Sequence, residues 1–405
     1  MKKLVTCILC LGAVAGLSAQ TTSVKQAEKL SGKTDKLGEA RSLIKQAMEN
    51  PETKNQAYTY YVAGKIELDA FDNGLKSKMI NPDDPAGAID VMGKELIDAY
   101  NYFLQALPLD SLPNEKNQVK PKYSKDILNK IKGHYNDFYG VGADYYNAEK
   151  YYPESYDAFI IYTDIPSRFN LNDPSLVNQQ QMAFAFYNAG IAANKGGAFE
   201  ESAKAFKNAR LLDYDKPEAT IYEIASWQEI AQKDNDRVAE AQANIMEAAQ
   251  AGVDKFGIEN TFLLNNLINA MVSENQSSQA LDKLNNLIAQ NPENANLYGL
   301  RAFVYDRMEN SDLAEADYRK SASLPDADAE TLKYASNKLY KTGIAKLNEI
   351  EGTSPEANAA RQNIKENYLL EAQKYANQAN QLKPGDSVIQ SLLDSIDYAL
   401  TTFFN

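Results

Sequence analysis

The chain has 405 residues, 44% hydrophobic and 24% charged, which excludes wholesale disorder and collagen-like folds and leaves either several compact domains or one long repeat array. Asp and Glu number 55 against 42 Lys and Arg, a formal charge of −13; such a surface repels a phosphate backbone, so no nucleic-acid partner is expected. One His and two Cys cannot build the usual zinc, haem or iron–sulfur sites, so no metal or cofactor is expected; with 25 Tyr present, the balance favours a binding protein over a catalyst.

The chain opens with Lys2-Lys3, an apolar run from Leu4 through Leu17, and the small or polar exit Ser18-Ala19-Gln20. A basic head, a short apolar middle and a small-residue exit predict a signal peptide over 1–19 that is removed after Ala19. Cys7 and Cys10 go with it. A lipid-attachment box at Leu4-Val5-Thr6-Cys7 is the weaker reading, since almost no apolar segment precedes Cys7. No later stretch approaches the roughly 18 apolar residues of a membrane helix. The mature protein is therefore expected to be periplasmic or secreted and not membrane-spanning.

The segment Ala27-Glu28-Lys29-Leu30-Ser31-Gly32-Lys33-Thr34 fits a permissive phosphate-loop pattern. That loop works only between a buried strand and a helix, and no strand precedes it here, so it reads as a frayed helix end and a turn. Beyond it the pattern is helical nearly throughout, with most Gly and Pro between periodic segments. A break at Asn81-Pro82-Asp83-Asp84-Pro85 separates two helices, and 109–123 reads as an insertion. His134 has no accompanying nucleophile pattern and reads as a packing or surface residue. The tyrosines from Tyr135 to Tyr162 read mostly as core, as does Trp227 among Ile221, Ile224, Ala225 and Ile230. Asp234-Asn235-Asp236 lacks the Gly and closing Glu of a calcium loop and reads as a lengthened connection. No G-x-S-x-G elbow occurs, and carboxylates without a constellation belong to solvated helix faces, so no catalytic residues are assigned.

The informative feature is self-similarity. An apolar face recurs at helical spacing through Leu297-Tyr298-Gly299-Leu300-Arg301-Ala302-Phe303-Val304-Tyr305, breaks at Glu309-Asn310-Ser311, and resumes at Leu313-Ala314 and Tyr318. Ala280 to Ala314 marks a repeat of about 34 residues. Small residues let the two helices of a pair approach, and large apolar residues fill the gaps. A pair this short cannot bury its apolar face alone, so neighbouring pairs must stack.

On these residues the chain resembles the tetratricopeptide repeat family, as an exported bacterial member. The same pattern stands at Gly190-Phe199-Ser202-Phe206-Ala209 and at Ala143-Tyr146-Tyr152-Ser155-Phe159, and in part at Gly64, Ala99-Phe103-Ala106, Ala241-Ala248 and Ala372-Ala376-Ala379. The predicted fold is an all-α solenoid of stacked antiparallel helix pairs. Residues 20–123 form divergent repeats, 124–325 regular repeats, and 326–405 a divergent repeat, with an insertion at 350–367 and a capping helix at Ser387–Leu400. The resemblance implies that the first helix of each pair lines a concave groove that holds protein or peptide partners. Its groove positions correspond to Asn194, Lys195, Asn265, Asn269, Phe303, Asp306, Arg307, Asn337 and Lys341. Asn265 and Asn269 are four apart on one helix face, and an amide both donates and accepts, which suits a sequence-tolerant grip on an extended backbone. The function that follows is a non-enzymatic interaction scaffold. A carbohydrate- or solute-binding accessory protein of the cell envelope is the alternative, with 109–123 as its candidate insert.

Overall fold

The computed structural model describes residues 22–80, 85–114, 116–171 and 177–404; the predicted signal peptide and the break at 81–84 lie outside them. The chain divides into two compact units, one up to Lys233 and one from Asp234 onward. This boundary falls inside the segment 124–325 that reads as regular repeats. Among the described residues the fold is all-α, and the only extended pairing is an isolated bridge between Pro113 and Val119.

The first unit begins with α1 (22–30) and α2 (Leu37–Glu49), continues with α3 (Ala57–Ile80), α4 (Pro85–Asp110) and the short α5 (Ser124–Gly133), and proceeds through α6 (Tyr135–Asn147) and α7 (Tyr152–Arg168) to α8 (Gln179–Lys195), α9 (Phe199–Leu211) and α10 (Glu218–Lys233). α3 pairs with α4, α6 with α7 and α8 with α9. In each pair a glycine of the first helix lies against a phenylalanine of the second. A Cβ on Gly64 would stand 2.5 Å from the Phe103 ring, on Gly142 2.9 Å from Phe159, and on Gly190 2.8 Å from Phe206. The contact is sealed by a hydroxyl in two pairs: Ser155 Oγ donates to the Gly142 carbonyl at 2.7 Å and Ser202 Oγ to that of Gly190 at 3.0 Å. Removing the side chain brings the helices together, and the serine satisfies its own buried hydroxyl at the closest approach.

These contacts correct the register at one repeat: the small residue is Gly142, not Ala143. They also show Gly64 and Phe103 to be one pair, with long helices continuing beyond the contact. Stacking of pair on pair makes the core. Tyr135 and Tyr162 lie parallel with centroids 4.4 Å apart, and Phe138, Tyr145, Phe159 and Ile165 are buried around them. The tyrosine-rich stretch is thus core at Tyr135, Tyr145 and Tyr162 and half-buried elsewhere. Trp227 is buried as expected.

The second unit contains α11 (Val238–Phe256), α12 (Thr261–Ser273), α13 (Ser277–Gln290), α14 (Ala295–Arg307), α15 (Ser311–Ser323), α16 (Ala329–Asn348), α17 (Pro355–Ile364), α18 (Leu370–Leu382) and α19 (Ser387–Phe404). The first helices start at strong caps: Asn260 accepts from the Leu263 N–H, Asn294 from Leu297 and Asp328 from Thr331. The segment 350–367, read as an insertion, is mostly helical. Ser354 caps α17, Pro355 takes its first turn, and a π-helical turn at Lys365–Leu369 joins it to α18. That turn is fastened by Arg319, which bonds Glu371 and the Asn367 carbonyl. α19 buries Ile389, Leu392, Leu393, Ile396 and Ala399 and exposes Gln390, Ser391, Asp394 and Asp397 together with Val388 and Tyr398.

Candidate partner-binding face of the second unit

α12, α14 and α16 are the first helices of successive pairs, and polar side chains bridge each to the next. Asn296 Nδ2 on α14 donates to Asn265 Oδ1 on α12 at 3.2 Å. Lys338 Nζ on α16 bonds Asp306 on α14 at 2.6 Å and Ser311 Oγ at 3.1 Å. A cleft of about 370 Å³ lies beside the second bridge, lined by Asp306, Tyr334, Asn337, Lys338, Lys341 and Thr342 among others. On the neighbouring helix face the Arg307 guanidinium sits 5.4 Å from the centroid of the half-buried Phe303 ring. The buried Tyr318 hydroxyl also borders the cleft; burial, reinforced by Asp306, pushes its pKa well above the usual phenol range, so it remains a neutral donor.

The structure therefore gathers Asp306, Asn337 and Lys341 at one cleft, with Phe303 and Arg307 paired on the helix that supplies Asp306. Asn265 is half-buried and bonded to Asn296, whereas Asn269, one turn along, is exposed. Asn194 and Lys195 belong to the first unit, at the C-terminal end of α8, where the Asn194 carbonyl accepts from the N–H of Gly197 in the turn. Lys338, Tyr334 and Asn296 escaped the sequence reading. Tyr334, Lys338 and Lys341 stand at spacings of four and three on α16, a signal of one helix face that was open to inspection. The pairing of Lys338 with Asp306 across two helices was not.

Other sequence candidates take structural places. Ser31 Oγ donates to Asp69, which also pairs with Lys65 at 2.7 Å, so the phosphate-loop-like segment is a helix end tied down at its turn, with Gly32 in the left-handed region at φ 79°. His134 Nδ1 lies 2.9 Å from Asp137, and its ring packs edge-on against Phe71. Asp234 accepts from the Asp236 N–H at 3.0 Å and begins a single tight turn. At the end of the 109–123 segment, Tyr123 stacks on Tyr61 at 4.7 Å and Tyr58 at 5.6 Å, tying that loop to α3. Among the described residues no group of three His, Cys, Asp or Glu is placed to hold a metal ion, and no helix is long and apolar enough to cross a membrane.

No family model matches the chain, and no curated protein matches it. Among solved structures it is similar to a TPR repeats protein from Bacteroides fragilis, at 17% identity over 65% of this chain and 98% of that one, with a TM-score of 0.32. A tetratricopeptide repeat protein from Parabacteroides merdae aligns at 12% identity over 65% of this chain and 99% of that one, TM-score 0.35. Yeast Tom70 aligns at 14% identity over 95% of each chain, TM-score 0.26. The fold itself is established by the chain's own helix pairs.

Proposed function

We propose that this is an exported, non-enzymatic interaction scaffold, acting in the periplasm or after secretion, which holds a protein or peptide partner on the α12–α14–α16 face. The observation that carries this reading is the cleft beside Asp306, in which the lysine at the helix bridge is neutralised while Lys341 stays exposed and carries no ion pair among the described residues. An exposed cation without an ion pair, set in a strongly acidic chain, attracts an acidic side chain or a free carboxylate, and steers it most strongly at low salt. Phe303 under Arg307 offers an apolar platform with a charged edge, and Asn269 offers an amide for a backbone. Nucleic acid is not a partner in this reading.

Two measurements test it. Mass spectrometry of the native protein is expected to give a soluble chain beginning near Gln20; an intact Met1 or a lipid on Cys7 would contradict export by the predicted route. A photo-crosslinking residue at Asn269 is expected to capture one defined partner in the native envelope, while the same residue at Asn286 on α13 captures none. Capture only from α13 would place binding on the second helices.

A further inference from the structure

A second cleft, of about 640 Å³, opens between α2, α3 and α4 in the first unit. Its ion cluster is one cation short. Arg41 Nε bonds both oxygens of Glu67, at 2.9 and 3.2 Å, and Arg41 Nη2 bonds Glu95 Oε1 at 2.7 Å. The two carboxylate side chains are 10% and 4% exposed, so a single guanidinium serves two buried anions. Among the described residues no other cation pairs with either of them: Lys94 on the rim is paired with Asp98, and Lys45, also on the lining, makes no ion pair. The lining groups as a whole carry four carboxylates, with Glu49 and Asp98, against three cations, with Lys45 and Lys94. Burial holds the Glu95 carboxyl above its usual range, Arg41 pulls it back down, and Glu67 and Asp98 push it up again. The rest of the wall is Ile44, Met48 and the Tyr102 ring.

A buried carboxylate without a full counter-ion is costly, and a charge-assisted hydrogen bond from an incoming cation relieves it. An alkyl stem behind that cation covers apolar wall, and an aromatic ring adds a favourable face. We propose that this cleft binds an organic monocation, a primary ammonium or guanidinium on an alkyl stem, with Glu95 as its principal counter-ion. Such a group arrives either as a Lys or Arg side chain of another protein or as a free amine.

The test is calorimetric titration of the full chain with n-butylamine, with an end-blocked Gly-Lys-Gly tripeptide, and with butyrate as the anion of matching stem. Both cationic probes are expected to bind at one site and butyrate not to bind. Glu95→Gln is expected to weaken the cationic probes about tenfold, the loss of one charged hydrogen bond, whereas Lys45→Ala leaves them unweakened. Tighter binding of the tripeptide assigns the site to a protein side chain, and tighter binding of butylamine assigns it to a free amine. Absence of cation binding, unchanged affinity in E95Q, or butyrate binding that K45A abolishes would overturn the proposal. Should E95Q fail to fold, Met48→Trp fills the cleft from its apolar wall and must abolish cation binding; retained binding overturns the proposal equally.

Discussion

Lys338 reaches from α16 to Asp306 on α14, with 2.6 Å between Nζ and the carboxylate, and so fastens two successive first helices at the edge of the candidate cleft. Its side chain is only 15% exposed. Lys341, less than one turn further, is exposed. Two lysines on one helix face thus differ, one held in a bridge between helices and one exposed with no ion pair among the described residues. Lys338→Ala is expected to destabilise the second unit by about 1 kcal/mol, and Lys341→Ala to change stability by less than about 0.5 kcal/mol. Urea unfolding of the two variants separates them; equal effects would mean that the bridge carries no weight.

Two glycines of α6, two positions apart, should respond to alanine in opposite directions. A Cβ on Gly142 meets the Phe159 ring at 2.9 Å, whereas a Cβ on Gly140 meets nothing within 4 Å. Gly142→Ala is expected to cost roughly 1–3 kcal/mol by overpacking. Gly140→Ala is expected to stabilise by about 0.5–1 kcal/mol, since alanine loses less backbone freedom in a helix. Chemical denaturation of both variants reads the sign directly.

Arg210 and Glu223 form a pair between α9 and α10, with Nε to Oε2 2.7 Å and side chains 10% and 0% exposed. Glu223→Ala removes a fully buried carboxylate that bonds this guanidinium and is expected to cost about 3–5 kcal/mol. Replacing both by methionine is expected to recover much of that loss, because both charges of the bonded pair are then removed together. A double-mutant cycle on the melting transition measures the coupling.

How far the sequence reached depends on the range of each interaction. The pairing of Gly190 with Ser202 and Phe206 is legible because one repeat contains all three, and a small residue twelve positions before another is a local signal. At the preceding repeat two small residues stand side by side, and only the Phe159 ring decides for Gly142 over Ala143. Segment 350–367 reads as a break because Gly352-Thr353-Ser354-Pro355 resembles a loop, although Ser354 with Pro355 is also a helix start. In the candidate face, Asp306, Asn337 and Lys341 came from the resemblance to the repeat family, whose groove positions they match. The bridges from Asn296 to Asn265 and from Lys338 to Asp306 join residues 31 and 32 positions apart, and no local pattern announces them.

Acid should weaken the first unit at a definable point. Asp110 is buried, which pushes its pKa up, but the Ser124 hydroxyl and the backbone N–H groups of Lys122, Tyr123 and Ser124, at 2.7 to 2.9 Å, outweigh that and hold it below the usual carboxylate range. A carboxyl depressed in the folded state contributes stability that is fully present above its unfolded pKa of about 3.9, and that is lost as pH falls through the lower folded value. Unfolding free energy is therefore expected to fall from about pH 4 downward more steeply in the wild type than in Asp110→Asn. Parallel pH profiles would show that the capped loop at 111–123 does not depend on this charge.

The most direct test of the candidate face is the affinity of the crosslinked partner for the variant with the exposed Asn269, Arg307 and Lys341 all replaced by alanine, measured at low and high salt beside its melting temperature. The account predicts near wild-type melting, affinity reduced by at least about tenfold, as expected for loss of even one charged contact, and a wild-type affinity that itself weakens as salt rises. Unchanged affinity in this variant, together with loss of binding on substitution of exposed second-helix residues such as Asn286, would contradict it and assign the partner to the opposite face.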